Sequence, residues 1–258
     1  MKSERSLKLD PIATLETNYV WAIHDGQHCV LVDPGSAAEP LAFLKRQALK
    51  LAGILLTHHH HDHIGGVDEI LARHPVPVIG PQDPRIPGLE RRVVEGDTIT
   101  FDQPALELAV LETPGHTSSH IVFHNAEMLL AGDTLFSVGC GRLFEGTPEQ
   151  MQTSLDKLAP LPDRIRLYCA HEYTLDNCRF ALQVEPENAE LKQRAEQVKE
   201  LREAGQITLP TTLGEERATN PFLRTRQPTV IAAAQQREPG TDNTPAAVFG
   251  VIRRWKDG

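Results

Sequence analysis

The run Thr57-His58-His59-His60-His61-Asp62-His63, followed by Ile64-Gly65-Gly66, constrains this chain more than any other stretch. Read as H-x-H-x-D-H, it places four nitrogen or oxygen donors within six residues. A strand would send neighbouring side chains to opposite faces, so donors this dense need a tight loop that turns them to one side. The apolar run Ala52–Leu56 just before it reads as a buried strand. Gly65-Gly66 lets the backbone crowd the loop without Cβ clashes. A tag-like histidine run, a solvated metal-scavenging patch, or Asp62 acting only as a helix N-cap are the bland alternatives. The Asp-His that completes the pattern, and its place after a buried strand, speak against them.

Composition narrows the class. The 258 residues are 40% hydrophobic and 24% charged, as expected of a globular chain with one large domain or a main domain and a smaller partner. With 26 Lys plus Arg against 35 Asp plus Glu, the formal charge is −9, which argues against a nucleic-acid partner. No run of 18 apolar residues is present, so no spanning helix and no membrane partner are expected. Met1–Asp10 has no apolar core of secretory length. Cys29, Cys140, Cys169 and Cys178 match no C-x-x-C spacing and read as reduced thiols, so a cytoplasmic location is expected.

Strand-like runs at Asn18–Ile23, His28–Asp33, Ala52–Leu56 and Val76–Ile79 alternate with expected helices at Glu39–Ala48 and Ile64–Arg73, which suggests an α/β layered core. Leu106–Leu111, His120–Phe123, Met128–Ala131 and Ile165–Ala170 read as further strands, and Thr147-Pro148 opens a helix to Leu158. Beyond residue 174 the texture changes. Leu191, Ala195, Val198 and Leu201 mark an amphipathic helix, and residues 205–229 are expected as an irregular connection. A boundary is expected near 171–174.

More donors follow the first cluster: His116 in Thr113-Pro114-Gly115-His116-Thr117, Asp133 in Gly132-Asp133-Thr134, and His171 at the end of a strand. Each alone is weak. Together with the first cluster they give five His and two Asp, the number that two close metals need when one aspartate bridges.

In this order, T-H-x-H-x-D-H, P-G-H-T, G-D-T and the final histidine resemble the metallo-β-lactamase superfamily. The resemblance implies an α+β fold, a four-layer αββα sandwich with the metals at one edge. By position, His58, His60 and His116 would hold the first metal, and Asp62, His63 and His171 the second. Asp133 would bridge, while His59 and His61 occupy the x positions and are not ligands. Asp62 and Asp133 would also be the catalytic pair, Asp62 by orienting a metal-held hydroxide and Asp133 by neutralising charge between the ions. The donor set suits zinc, iron and manganese alike, and zinc is favoured.

Gly139-Cys140-Gly141-Arg142-Leu143-Phe144-Glu145-Gly146, His171-Glu172-Tyr173-Thr174, Asn220-Pro221-Phe222-Leu223-Arg224 and Arg253-Arg254-Trp255-Lys256-Asp257 are similar to the glyoxalase II (hydroxyacylglutathione hydrolase) family over nearly the whole chain. That likeness implies a catalytic domain at 1–172 and a smaller helical, glutathione-binding domain at 173–258. It implies hydrolysis of S-(2-hydroxyacyl)glutathione thioesters such as S-D-lactoylglutathione, the second step of methylglyoxal detoxification; apart from the resemblance, a monomer is expected. Arg142, Tyr173, Arg253 and Lys256 would contact glutathione. Independently of the family, an anionic thioester needs local cations on a chain this acidic. Phe144 stands where the family often has tyrosine, which removes a hydroxyl donor. The superfamily also acts on lactones, β-lactams and phosphodiesters, and one branch uses a single iron as a persulfide dioxygenase. The intact seven-donor set and the C-terminal cations favour the thioesterase over these and over a non-catalytic metal-binding module.

Overall fold

A computed structural model of the protein describes residues 6–258. Those residues form two compact units, one running to Glu112 and adding Ile121–Asn125, the other comprising Thr113–His120 and Ala126–Gly258.

The first unit begins with three antiparallel strands, β1 (Lys8–Thr14), β2 (Asn18–His24) and β3 (His28–Val32). Helix α1 (Ala38–Gln47) crosses over to β4 (Lys50–Leu55), which runs parallel to β3. The loop after β4 leads into α2 (His61–Ile64) and α3 (Val67–Arg73), then to β5 (Val78–Pro81) and β6 (Arg91–Val93), both parallel to their neighbours. Strands β7 (Thr98–Phe101), β8 (Leu106–Glu112) and β9 (Ile121–His124) add an antiparallel set. Apolar side chains on alternate strand positions, such as Val20, Ala22, Leu31 and Ile54, pack with Phe43 and Leu44 of α1 and Ile70 of α3 into one core.

The registers Val32↔Leu55 and Leu55↔Ile79 align the carboxyl ends of β3, β4 and β5. Asp33, the Thr57–His63 loop and Asp83 therefore leave the sheet along one edge, where parallel α/β sheets place their ligands. The helix expected over Ile64–Arg73 is instead broken at Gly65-Gly66. A Cβ at Gly66 would lie 2.2 Å from the Ser36 carbonyl carbon, and one at Gly35 would lie 1.8 Å from the Asp62 oxygen. The Pro34–Ser36 turn and the motif loop touch backbone to backbone, and a continuous helix would drive them apart.

In the second unit β10 (Met128–Gly132) is followed by the small hairpin β11 (Leu135–Phe136) and β12 (Gly139–Cys140) and by α4 (Pro148–Leu158). The helix start that Thr147-Pro148 signals is present, and Thr147 and Gln150 close it with a reciprocal capping box. Strand β13 (Arg166–Cys169) runs parallel to β10. Helices α5 (Thr174–Val184) and α6 (Ala189–Glu203) follow, and Leu191 and Val198 of α6 are buried against Ala181 of α5. The segment expected to be irregular holds β14 (Thr211–Thr212) and α7 (Leu213–Thr219). Its Thr-rich composition hid an N-cap: Thr212 accepts the Glu215 N–H at 3.2 Å, and Leu213, Glu216 and Thr219 are the helix's buried face. Helices α8 (Pro228–Arg237) and α9 (Pro245–Asp257) complete the unit. Among the described residues no helix is long and apolar enough to cross a membrane.

Candidate metal centre

Four of the seven expected ligands belong to the first unit: His58 and His60 on the loop after β4, and Asp62 and His63 in the short helix α2 that follows it. His58 and His63 are fully buried. The His58 Nε2 lies 3.1 Å from His60 Nδ1, so two imidazoles converge on one point. The rings of His58 and His63 are 4.0 Å apart between centroids. His63 Nε2 is 3.5 Å from Asp62 Oδ2, a second convergence on the same loop. Asn18 on β2 donates its amide to Asp62 Oδ2 at 3.0 Å and so aims the carboxylate.

Asp33 organises this loop, and sequence reasoning missed it. Its carboxylate accepts the Thr57 N–H at 2.8 Å, the Thr57 hydroxyl at 2.7 Å and His63 Nδ1 at 3.1 Å. The last bond fixes the Nδ1–H tautomer, so Nε2 presents its lone pair toward Asp62, the arrangement metal-ligating histidines use. Asp33 holds φ +53°, a left-handed backbone tolerated by Asp and Asn. The available signal was the strand-ending Asp33-Pro34-Gly35, which reads as a turn and nothing more.

The other three expected ligands belong to the second unit. Gly132 on β10 and Cys169 on β13 are register partners, so Asp133 and His171 emerge side by side where the two strands end. His171 Nε2 is 3.3 Å from Asp133 Oδ1, and His116 Nε2 is 3.3 Å from Asp133 Oδ2. One carboxylate thus faces two imidazoles, one on each oxygen, as a bridging group would. His116 Nδ1 donates to the Arg142 carbonyl at 2.9 Å, again setting Nε2 as the ligating nitrogen. His120, also missed, is fully buried and accepts the Asp133 N–H at 3.1 Å through Nε2. Its Nδ1 is 3.0 Å from Thr134 Oγ1 and 3.1 Å from Thr113 Oγ1. All seven expected ligands are among the side chains with the chemistry to hold a metal ion, and the fixed tautomers at His63 and His116 fit such a role.

The four expected glutathione contacts are all in the second unit and differ in setting. Tyr173 stacks on the His171 ring at 4.6 Å and is 38% exposed. The side chain of Arg142 is 62% exposed and its Nε lies 3.2 Å from Asp257 Oδ1. Arg253 is buried, donating Nη1 to the Cys140 carbonyl at 2.9 Å and Nη2 to Asp257 at 3.0 Å. The ammonium of Lys256 donates to Asn177 Oδ1. Burial, and then the Arg253 guanidinium, lower Lys256 to about 8. Phe144 is 64% exposed and edge-on to His116, at 5.3 Å between ring centroids. The four cysteines are buried thiols without disulfides, and burial pushes Cys29 and Cys178 up to about 12, which suits packing and not ligation.

Comparison with known proteins adds independent findings. Residues 13–171 match the family model for the metallo-β-lactamase superfamily, and residues 172–258 match the model for the hydroxyacylglutathione hydrolase C-terminus. The chain is 51% identical to a hydroxyacylglutathione hydrolase of Cupriavidus metallidurans over 98% of its own length and 99% of the relative's. Among solved structures, TTHA1623 in a di-iron-bound form is similar at 26% identity and a TM-score of 0.60, over 83% of this chain and all of that one. The BLEG-1 B3 metallo-β-lactamase is similar at 25% identity and a TM-score of 0.62, over 84% of this chain and 99% of that one.

Proposed function

Because the chain belongs to the hydroxyacylglutathione hydrolase family of the metallo-β-lactamase superfamily, we propose that its two sets of His and Asp donors serve one binuclear centre for thioester hydrolysis. The fold is the mixed α/β metallo-β-lactamase fold with a helical C-terminal region. The chain is a hydroxyacylglutathione hydrolase, a metal-dependent enzyme that cleaves S-(2-hydroxyacyl)glutathione thioesters. The observation that carries the metal reading is Asp133, whose two carboxylate oxygens each face one imidazole at 3.3 Å. In this reading His58, His60 and His116 would hold one ion, Asp62, His63 and His171 would hold the other, and Asp133 would serve both. We favour zinc, with iron and manganese compatible with the same donors.

Two divalent cations supply, when bound, Lewis acidity toward the thioester carbonyl and a lowered pKa for the attacking water. Asp33 and the Arg142 carbonyl keep His63 and His116 in the ligating tautomer. Asp62, aimed by Asn18, orients the attacking water. The leaving thiolate needs no protonation, because a thiol is far more acidic than an amine or an alcohol. This is why no Ser-His-Asp or Cys-His set is required. Arg142, Tyr173 and Lys256 bind the two glutathione carboxylates and its peptide. Arg253 takes part through its position between Cys140 and Asp257.

We place the catalytic domain at 1–172 and the glutathione-binding domain at 173–258, a reading supported by family-model matches that meet between 171 and 172. We further take the protein as a cytoplasmic monomer, the location supported by four unbridged, buried thiols. The test is direct. Metal-loaded protein should hydrolyse S-D-lactoylglutathione with release of free thiol. Good turnover of lactones or β-lactams with none of the thioester would overturn the assignment.

A further inference from the structure

His59 lies between two proposed ligands and is not one itself, yet its ring lies against the buried Asp83 carboxylate. Residues 57–60 belong to neither strand nor helix, and backbone bonds hold the ends of the segment: the Thr57 carbonyl accepts the Ile121 N–H at 3.0 Å, and the His60 carbonyl accepts the His63 N–H at 2.9 Å. Asp83, in the segment leaving β5, is 1% exposed. A carboxylate this deep needs charged partners. Arg85 supplies its backbone N–H and Nε, both at 2.9 Å from Oδ1, and Nη2 at 2.7 Å from Oδ2. The His59 ring faces the same carboxylate, with Nδ1 3.4 Å from Oδ2, an ion-pair distance and not a formed hydrogen bond.

The Asp83 segment is itself pinned to the sheet. Arg92 on β6 donates Nη1 to the Asp83 carbonyl at 2.5 Å and Nη2 to the Ile86 carbonyl at 3.2 Å. The His59 ring in turn stands edge-on to His58 and to His60, with centroids 6.4 and 4.8 Å away. A continuous line of contacts therefore runs from β6 through Arg92 and Asp83 to the one side chain between His58 and His60.

We propose that Asp83 is a positioning residue of the metal centre: acting through the His59 ring, it fixes the backbone at 58–60 so that His58 and His60 converge on one cation. This rests on the reading that those two histidines are ligands. Arg85 holds the Asp83 carboxylate in the plane that reaches His59, and Arg92 holds the turn that carries it.

The experiment titrates metal-free wild type, Asp83→Asn, His59→Ala, His59→Gln and the double variant Asp83→Asn/His59→Ala with Zn2+ against a chromophoric chelator. Thermal melting of the same metal-free samples and kcat and KM at saturating zinc are measured alongside. We expect Asp83→Asn and His59→Ala each to weaken the binding of one of two ions by about tenfold to a hundredfold, the range for outer partners of metal ligands. KM stays at the wild-type value, and metal-free melting falls no further in the double variant than in the worse single one. His59→Gln, whose amide can still meet Asp83, recovers most of the affinity that alanine loses. Wild-type zinc affinity in Asp83→Asn, or losses that simply add in the double variant, would overturn the proposal. If Asp83→Asn does not fold, the His59 pair decides, and equal affinity for the Gln and Ala variants overturns it. A wild type that fails to bind two ions would instead overturn the underlying metal reading, and the same titration shows it.

Discussion

Asp33→Asn is the sharpest perturbation of the motif loop. The backbone at φ +53° accepts Asn as readily as Asp, so the turn survives. The Asn carbonyl can still accept the Thr57 N–H, held at 2.8 Å in the native protein. The amide nitrogen then replaces Oδ2, which accepts from Thr57 Oγ1 at 2.7 Å and from His63 Nδ1 at 3.1 Å. The Thr57 hydroxyl can rotate, but the imidazole N–H cannot, and a donor now faces a donor. His63 escapes only by moving its proton to Nε2, which removes the lone pair that would ligate metal. Loss of one hydrogen bond to a charged group costs about 1.5–3 kcal/mol. At about 1.4 kcal/mol per decade that is about tenfold to a hundredfold in metal affinity. Competition titration of the metal-free protein with zinc reads the affinity, and urea unfolding of the same samples separates it from folding. Wild-type zinc affinity in Asp33→Asn would refute the tautomer argument.

Two further outcomes follow from buried charges in the second unit. Burial pushes the Glu216 carboxyl up to about 7, against the pull of the Val138 N–H, Asn220 and Arg194. The folded state therefore holds this proton through a window, from about 4.5 to 7, in which the unfolded chain has released it. Stability from the protonated form is full below that window and falls as pH rises through it. Glu216→Gln should remove the decline, gaining up to about 3 kcal/mol on wild type between pH 4.5 and 7.5 by urea unfolding; parallel profiles would count against it. Lys256, lowered to about 8, loses its charge as pH rises past that value, so KM for the anionic thioester should climb. Lys256→Arg stays charged and should keep a flat KM from pH 7 to 9.5, and the same climb in both proteins would remove Lys256 from substrate binding.

The ligands were legible because metal chemistry writes them densely: four donors in six residues, and strand ends that announce Asp133 and His171. Their supports were not. Asp33, Asp83 and His120 act over sequence distances of 24–30, 24 and 13 residues, to Thr57 and His63, to His59 and to Asp133 respectively, and no local pattern marks them. The break at Gly65-Gly66 shows the same limit. Apolar periodicity continues from Ile64 to Arg73, but the Pro34–Ser36 turn presses on the backbone from 30 residues away. Helix α7 was hidden because its buried face includes polar residues: Glu216, whose Oε2 accepts from the Val138 N–H and the Asn220 amide, and Thr219, whose hydroxyl donates to the Glu215 carbonyl. Arg253 is expected from the sequence as a glutathione contact, and only the fold shows its guanidinium on the Cys140 carbonyl.

The central claim is that Asp133 joins both donor sets into one centre for thioester hydrolysis. The measurement is metal content and S-D-lactoylglutathione turnover on the same samples of wild type and Asp133→Ala. The account predicts two ions and rapid thiol release in wild type, with fewer than two ions and turnover lost in Asp133→Ala. Two retained ions in Asp133→Ala would contradict it.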